Sequence, residues 1–199
     1  MRDARASLQI YTATRGTNDT SLAIAHAILG EALVGIHDVA GAIAEYRAAL
    51  AIYETADDQG RWNAAIVRVG LAQVLAATGD TAAARVQFSR AETVLRAAPD
   101  RNGNREAALL ALAGLVACDA ADRRVDRDRL RALEDTVAAE RDLSPEAIGF
   151  IAFARARAWA ALGDRGQSRA LAAAARAAFA KCGIADRSDV QARALAAIQ

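Results

Sequence analysis

Apolar residues recur along this chain at intervals of three and four, as in Leu22, Ala25, Leu29 and Leu33, or Val86, Ala91, Val94 and Leu95. That is the period of one face of an α-helix, and no stretch alternates with the period of two that a half-buried strand requires. Segments about four turns long are separated by turn-forming clusters: GTND (16–19), GIHD (35–38), DDQG (57–60), ATGD (77–80), PDRNGN (99–104), RDLSP (141–145), LGD (162–164) and CGIAD (182–186). The pattern predicts an all-α chain.

The helical pattern also repeats over a longer interval. RASLQIY at 5–11 returns as RAALAIY at 47–53, and aspartates stand at Asp38, Asp80, Asp122 and Asp164, each step 42 residues. A fixed period of this size is the signature of an array of stacked supersecondary units. Each aspartate follows a short turn, so all four are expected to cap the second helix of a pair. There a carboxylate accepts the free N–H groups of the first turn and meets the positive end of the helix dipole. Ser144 followed by Pro145 predicts a further helix start.

Composition narrows the classes. Hydrophobic residues make up 54% of the 199 and aromatics only 5%, which points to helices packed closely through small side chains. A formal net charge of +1 provides no field that would draw nucleic acid or an anionic membrane. Neither partner is expected. Lys181 is the only lysine, and this arginine- and alanine-rich usage suggests a GC-rich, bacterial coding sequence. Cys118 and Cys182 have no CxxC spacing, so neither a disulfide scaffold nor a zinc site is indicated, and a reducing cytoplasm fits best. No signal-peptide core and no apolar run of membrane-spanning length is present.

Candidate chemistry is sparse. His26 and His37 are eleven apart, one in a predicted helix and one in a turn, a spacing that suits neither a metal pair nor a base with its orienting partner. Gly79-Asp80 and Gly163-Asp164 lack the strand and motif of a phosphate loop and read as turns. In DRRVDRDRLR (122–131) arginines alternate with aspartates and no aromatic interleaves, which reads as an ion-paired solvated face rather than a nucleic-acid patch. No nucleophile, base and orienter come together, so no catalytic residue, metal or cofactor is expected.

Aligned on the aspartates, the units resemble tetratricopeptide repeats in their 42-residue, kinesin-light-chain-like form. The resemblance rests on small residues eight positions before each aspartate, at Gly30, Ala72, Gly114 and Ala156. It rests also on Ala42, Ala84, Asp126 and Ser168 four positions after, and on Tyr46, Phe88, Leu130 and Ala172 eight after. Asp126 and Leu133 stand where that pattern has alanine, and Arg155 where it has leucine, so helix boundaries in the third and fourth units are expected to shift.

The resemblance implies a right-handed α-α superhelix of about four helix pairs with a lone helix at each end. Its units are an orphan helix at 2–15, pairs at 20–58, 61–98, 104–141 and 144–182, and a closing helix at 185–199. Because RASLQIY matches the end of a second helix, the chain is expected to start inside a repeat. It therefore reads as a piece of a larger bacterial signalling protein, able to self-associate through Leu8, Ile10 and Tyr11.

In this family the first helix of each pair lines the concave groove. Carried over, those positions are Ile24, Ala27, Ile28 and Glu31; Ile66, Val69 and Gln73; Ala108, Ala111, Leu112 and Leu115; and Phe150, Phe153 and Arg157. The groove is largely apolar and lacks the lysines and asparagines with which chaperone-binding members hold a terminal carboxylate. Two functions follow as expectations. One is a non-catalytic module that receives a protein partner's peptide or helix, with Phe153 as anchor and Arg157 orienting an acidic or carbonyl group. The other is the regulatory or sensor region of a multidomain protein such as a eukaryotic-like serine/threonine kinase or a transcriptional activator.

Overall fold

A computed structural model describes residues 20–56, 58–97 and 104–181. The expected helices at 2–15 and 185–199, together with Cys182, lie outside the described residues. Among the described residues there are eight α-helices and no strand: α1 (Thr20–Gly35), α2 (Val39–Tyr53), α3 (Asp58–Ala77), α4 (Thr81–Arg96), α5 (Asn104–Ala121), α6 (Arg127–Ala139), α7 (Pro145–Ala161) and α8 (Arg165–Lys181). None is long and apolar enough to cross a membrane.

Four short turns share one hydrogen-bonding scheme. At the end of α1 the Asp38 N–H donates to the Leu33 carbonyl at 2.9 Å and the His37 N–H to the Val34 carbonyl at 3.0 Å. The same double closure recurs where Asp80 bonds Leu75, Arg124 bonds Asp119 and Asp164 bonds Trp159. This closure needs a left-handed residue, supplied by His37 (φ 62°), Gly79 (φ 88°), Arg123 (φ 54°) and Gly163 (φ 87°). In three of the turns the ladder aspartate follows at once and caps the next helix. Asp38 accepts from the Gly41 N–H, Asp80 from Ala83 and Asp164 from Gln167, each at 3.0 Å.

The third turn departs from the expected ladder. Asp122 precedes the left-handed residue instead of following it, and it does not cap α6. Asp126 does so, accepting from the N–H groups of both Asp128 and Arg129 at 3.0 Å. Two features account for the shift. Position 121 is alanine where the regular turns carry Gly79 or Gly163, and Asp126 satisfies two N–H donors where a ladder aspartate satisfies one. Asp122 is engaged elsewhere, accepting from the Arg85 guanidinium at 2.7 Å.

Small residues facing large ones hold the pairs together. A Cβ added to Gly30 would sit 3.0 Å from the Tyr46 ring, one added to Gly70 3.1 Å from the same ring, and one added to Gly149 2.6 Å from Phe179. Ala42, Ala72, Ala84 and Ala156 are wholly buried. Ser168 takes the corresponding place in α8, and its hydroxyl donates to the Ala156 carbonyl at 2.9 Å, which satisfies a buried polar group where the pattern has alanine.

Along the array α1 packs on α2, α3 on α4 and α7 on α8, while α2 adjoins α3 and α4 adjoins α5. Such a succession is compatible with a helical-repeat solenoid. The third pair is different: α6 packs on α5 far less extensively than the partners of the other pairs pack on each other, and α5 instead packs along α7. Only Leu130 and Leu133 of α6 are buried. The helix is otherwise tied by polar links. Arg129 reaches Asp119, and the Glu134 carboxylate accepts from Arg155 at 3.2 Å and from the Trp159 indole at 3.1 Å.

Candidate binding face

Helices α1, α3, α5 and α7 are successive neighbours. Helical spacing places Ile24, Ala27, Ile28 and Glu31 on one face of α1, and Trp62, Ile66, Val69 and Gln73 on one face of α3. It likewise aligns Ala108, Leu112 and Leu115 on α5, and Glu146, Phe150, Phe153 and Arg157 on α7.

These positions do not form one open groove. Over α1 and α3 the face is exposed and apolar: Ile24 is 48% exposed, Ile28 57% and Ile66 41%. Glu31 is exposed, while Ala27, Gln73, Ala108 and Leu112 are partly covered. Val69, Ala111, Leu115, Phe150 and Phe153 are buried, Phe153 to 6%. Those five belong to the core rather than to an accessible groove. The cause is the direct packing of α5 on α7, which brings Phe150 against Phe88 of α4, their ring centroids 6.5 Å apart and tilted by 42°.

Charge is divided between the two ends of the α7 row. Although Glu31 keeps an exposed surface, partial loss of hydration pushes its carboxyl above the ordinary range, and the like charge of Glu146 on α7 adds to the effect. The Tyr46 hydroxyl is raised by burial first and by both glutamates second. At the other end the Arg157 guanidinium stands 5.7 Å from the centroid of the Phe153 ring, within cation–π range. Burial lowers its pKa, with no carboxylate nearby to offset the effect.

Among the described residues Arg157 has no hydrogen-bond or ion-pair partner. Other arginines in the array are engaged. Arg68 bonds Glu54 and Gln87, Arg85 bonds Asp119 and Asp122, Arg129 bonds Asp119 and Asp126, and Arg155 bonds Glu134. Asp119 is 5% exposed and accepts from two guanidiniums, which links α4, α5 and α6. Much of the charged run at 122–131 therefore pairs within the molecule.

The remaining candidates are structural. His26 Nδ1 lies 2.6 Å from Glu45 Oε2, joining α1 to α2, and His37 forms the left-handed corner of the first turn. Burial pushes the Cys118 thiol pKa up, away from a reactive thiolate. Among the described residues no group of three or more His, Cys, Asp or Glu side chains is placed to hold a metal. Sequence reasoning missed Glu146 and Trp62. Each stands one turn before a residue of the predicted row, Phe150 and Ile66, so the four-residue spacing contained the signal.

A search against protein-family models gives no match to this chain, and no curated protein matches it either.

Proposed function

We propose that the chain is a non-catalytic interaction module of the tetratricopeptide-repeat kind, which receives a protein segment on the face of α1 and α3 and along the rim of α7. The observation that carries this reading is the row of exposed isoleucines. Ile24, Ile28 and Ile66 are about half exposed on the face that the resemblance assigns to partners. Covering a large aliphatic side chain completely is worth about 1.5–3 kcal/mol, so completing the burial of three half-exposed isoleucines offers roughly 3 kcal/mol. That is enough to anchor a partner once a few polar contacts are added.

The anchor in this reading is the isoleucine row, since Phe153 already packs in the core. Arg157 keeps its role of receiving an acidic group. The test is Ile28→Asp, which places a charge on the exposed row without disturbing a buried contact. Helicity and melting temperature should stay as in the unaltered chain, while affinity for peptides selected on that chain should fall at least tenfold. Unchanged affinity in the folded variant removes the isoleucine row as the binding surface.

A further inference from the structure

Helix α8 departs from the rest of the array in its charge. It carries Arg165, Arg169, Arg176 and Lys181 and no acidic residue. Its whole pair, residues 144–181, holds six basic side chains against Glu146 and Asp164, a net of +4 (6 − 2) in a chain whose total is +1. Residues 182–199 contribute two aspartates and two arginines, so they leave that balance unchanged. At about 100° per residue, steps of four and eleven bring Arg165, Arg169 and Arg176 within about 40° of one another, in a stripe about 16 Å long. All three are exposed, and among the described residues none has a hydrogen bond or an ion pair.

The stripe occupies the flank through which earlier units bind their successors. Arg169 stands two repeats, 84 residues, after Arg85 (169 − 85). The Arg85 guanidinium on α4 donates to the carboxylate of Asp119 near the end of α5 and to that of Asp122 in the turn that follows, the latter at 2.7 Å. Arg176 stands one repeat after Glu134 (176 − 134), which on α6 accepts from Arg155 and Trp159 of α7. Second helices thus use this flank for charged bonds to the next first helix. On α8 the same positions are arginines, and no described helix follows.

A carboxylate completes such an arginine by a charge-assisted hydrogen bond, as Asp119 and Asp122 do for Arg85. The residues beside the stripe, Ala173 and Ala180, are small enough to let a second helix approach closely. Helix α8 has no exposed large apolar side chain to enter a lipid surface, and its one aromatic, Phe179, is buried and not free to stack a base. We infer that this flank of α8 binds an acidic helix of a partner protein, laid beside α8 as α5 lies beside α4. The partner carries carboxylates at three- and four-residue steps over about three turns, opposite Arg165, Arg169 and Arg176. The site is separate from the isoleucine row of α1 and α3 and does not rest on it.

The probe is a synthetic helix-forming peptide of about 18 residues, built on alanine and leucine, with glutamates at successive steps of about four, three and four along one face. Its control has the same composition with the glutamates distributed round the helix. Titrated into the full chain by fluorescence anisotropy, the patterned peptide should bind at least about tenfold more tightly than the control, and salt should weaken it because the pairs are exposed. Arg169→Glu with Arg176→Glu should lower its affinity at least about tenfold without altering the melting curve. A peptide with lysine in place of glutamate should show the reverse preference, binding that variant more tightly than the unaltered chain. Should the charge reversal unfold α8, Arg169→Gln with Arg176→Gln reads the same contacts through a smaller loss.

Equal affinity for the two peptides, binding of neither, or patterned binding that survives the loss of both arginines overturns the assignment. Tighter binding of a DNA duplex or of phosphatidylserine vesicles than of the patterned peptide, abolished by the same variants, would assign the stripe to phosphates and overturn it as well. Loss of patterned binding on Ile28→Asp would place the peptide on the isoleucine row, so that the inference fails while the proposed binding face stands. Patterned binding that Ile28→Asp leaves unchanged supports the α8 site independently of that face.

Discussion

Gly114 lies mid-way along α5, where glycine is among the poorest helix formers, and replacing it with alanine ordinarily stabilises a helix by about 1 kcal/mol. Here the substitution should do the opposite. A Cβ at this position would come within 2.5 Å of three atoms of the Phe88 ring, well inside van der Waals contact. The ring has no room to retreat: Phe88 is wholly buried, and Phe150 stands behind it with centroids 6.5 Å apart. Forcing a methyl group into a packed core costs about 1–3 kcal/mol, and the upper end applies where the neighbour is held on both sides. Subtracting the propensity gain leaves a net loss of about 2 kcal/mol.

For a chain of this size such a loss lowers the melting temperature by roughly 4–8 °C. Thermal and urea unfolding followed by circular dichroism at 222 nm read it directly. The decisive measurement is the double-mutant cycle with Phe88→Leu. In that background the ring is gone, and Gly114→Ala should become neutral or stabilising by up to ~1 kcal/mol. An increase in melting temperature for Gly114→Ala alone, or an equal loss in both backgrounds, would refute the argument that Phe88 occupies the space glycine leaves.

Three further outcomes are expected. Phe153→Ala should destabilise the fold by about 3–5 kcal/mol in urea titration, because the ring is core, whereas Ile28→Asp should stay within about 0.5 kcal/mol. Because the folded state raises the Glu31 pKa, it binds that proton more tightly than the unfolded chain does, and stability falls as pH rises out of the ordinary glutamate range. Glu31→Gln should accordingly melt higher than the unaltered chain at pH 7, with the difference vanishing near pH 3, about a unit below the unfolded glutamate pKa, where the carboxyl is protonated in both states. Helix α6, with two buried side chains and several polar links, should show the fastest amide exchange of the eight described helices, and Asp119→Ala should accelerate it selectively by mass spectrometry.

Local chemistry was legible without coordinates. Helical periodicity marked where the eight described helices lie, and glycine–aspartate pairs marked the turns at 79–80 and 163–164, because a left-handed corner followed by a carboxylate cap is built from adjacent residues. Gly30 and Tyr46 could also be picked out as a small residue and a large one at repeating positions, and they meet. The departure of the third unit was visible as misfit at Asp126 and Leu133, but not its outcome. Asp126 caps α6, while Asp122 pairs with Arg85, 37 residues before it, a contact that no local pattern shows.

The candidate face divides in the same way. Spacing alone identified which residues share a side of each helix, and Ile24, Ile28, Glu31 and Ile66 are exposed on that side. Only the tertiary structure decided that Phe150 and Phe153 are core, that the like charge of Glu146 acts on Glu31, and that Arg157 has no carboxylate partner among the described residues. The physical reason is range. Hydrogen-bond closure and amphipathic period act over a few neighbouring residues, whereas burial and charge pairing are settled by whatever packs from across the array, as Phe88 does on Phe150, 62 residues away (150 − 88).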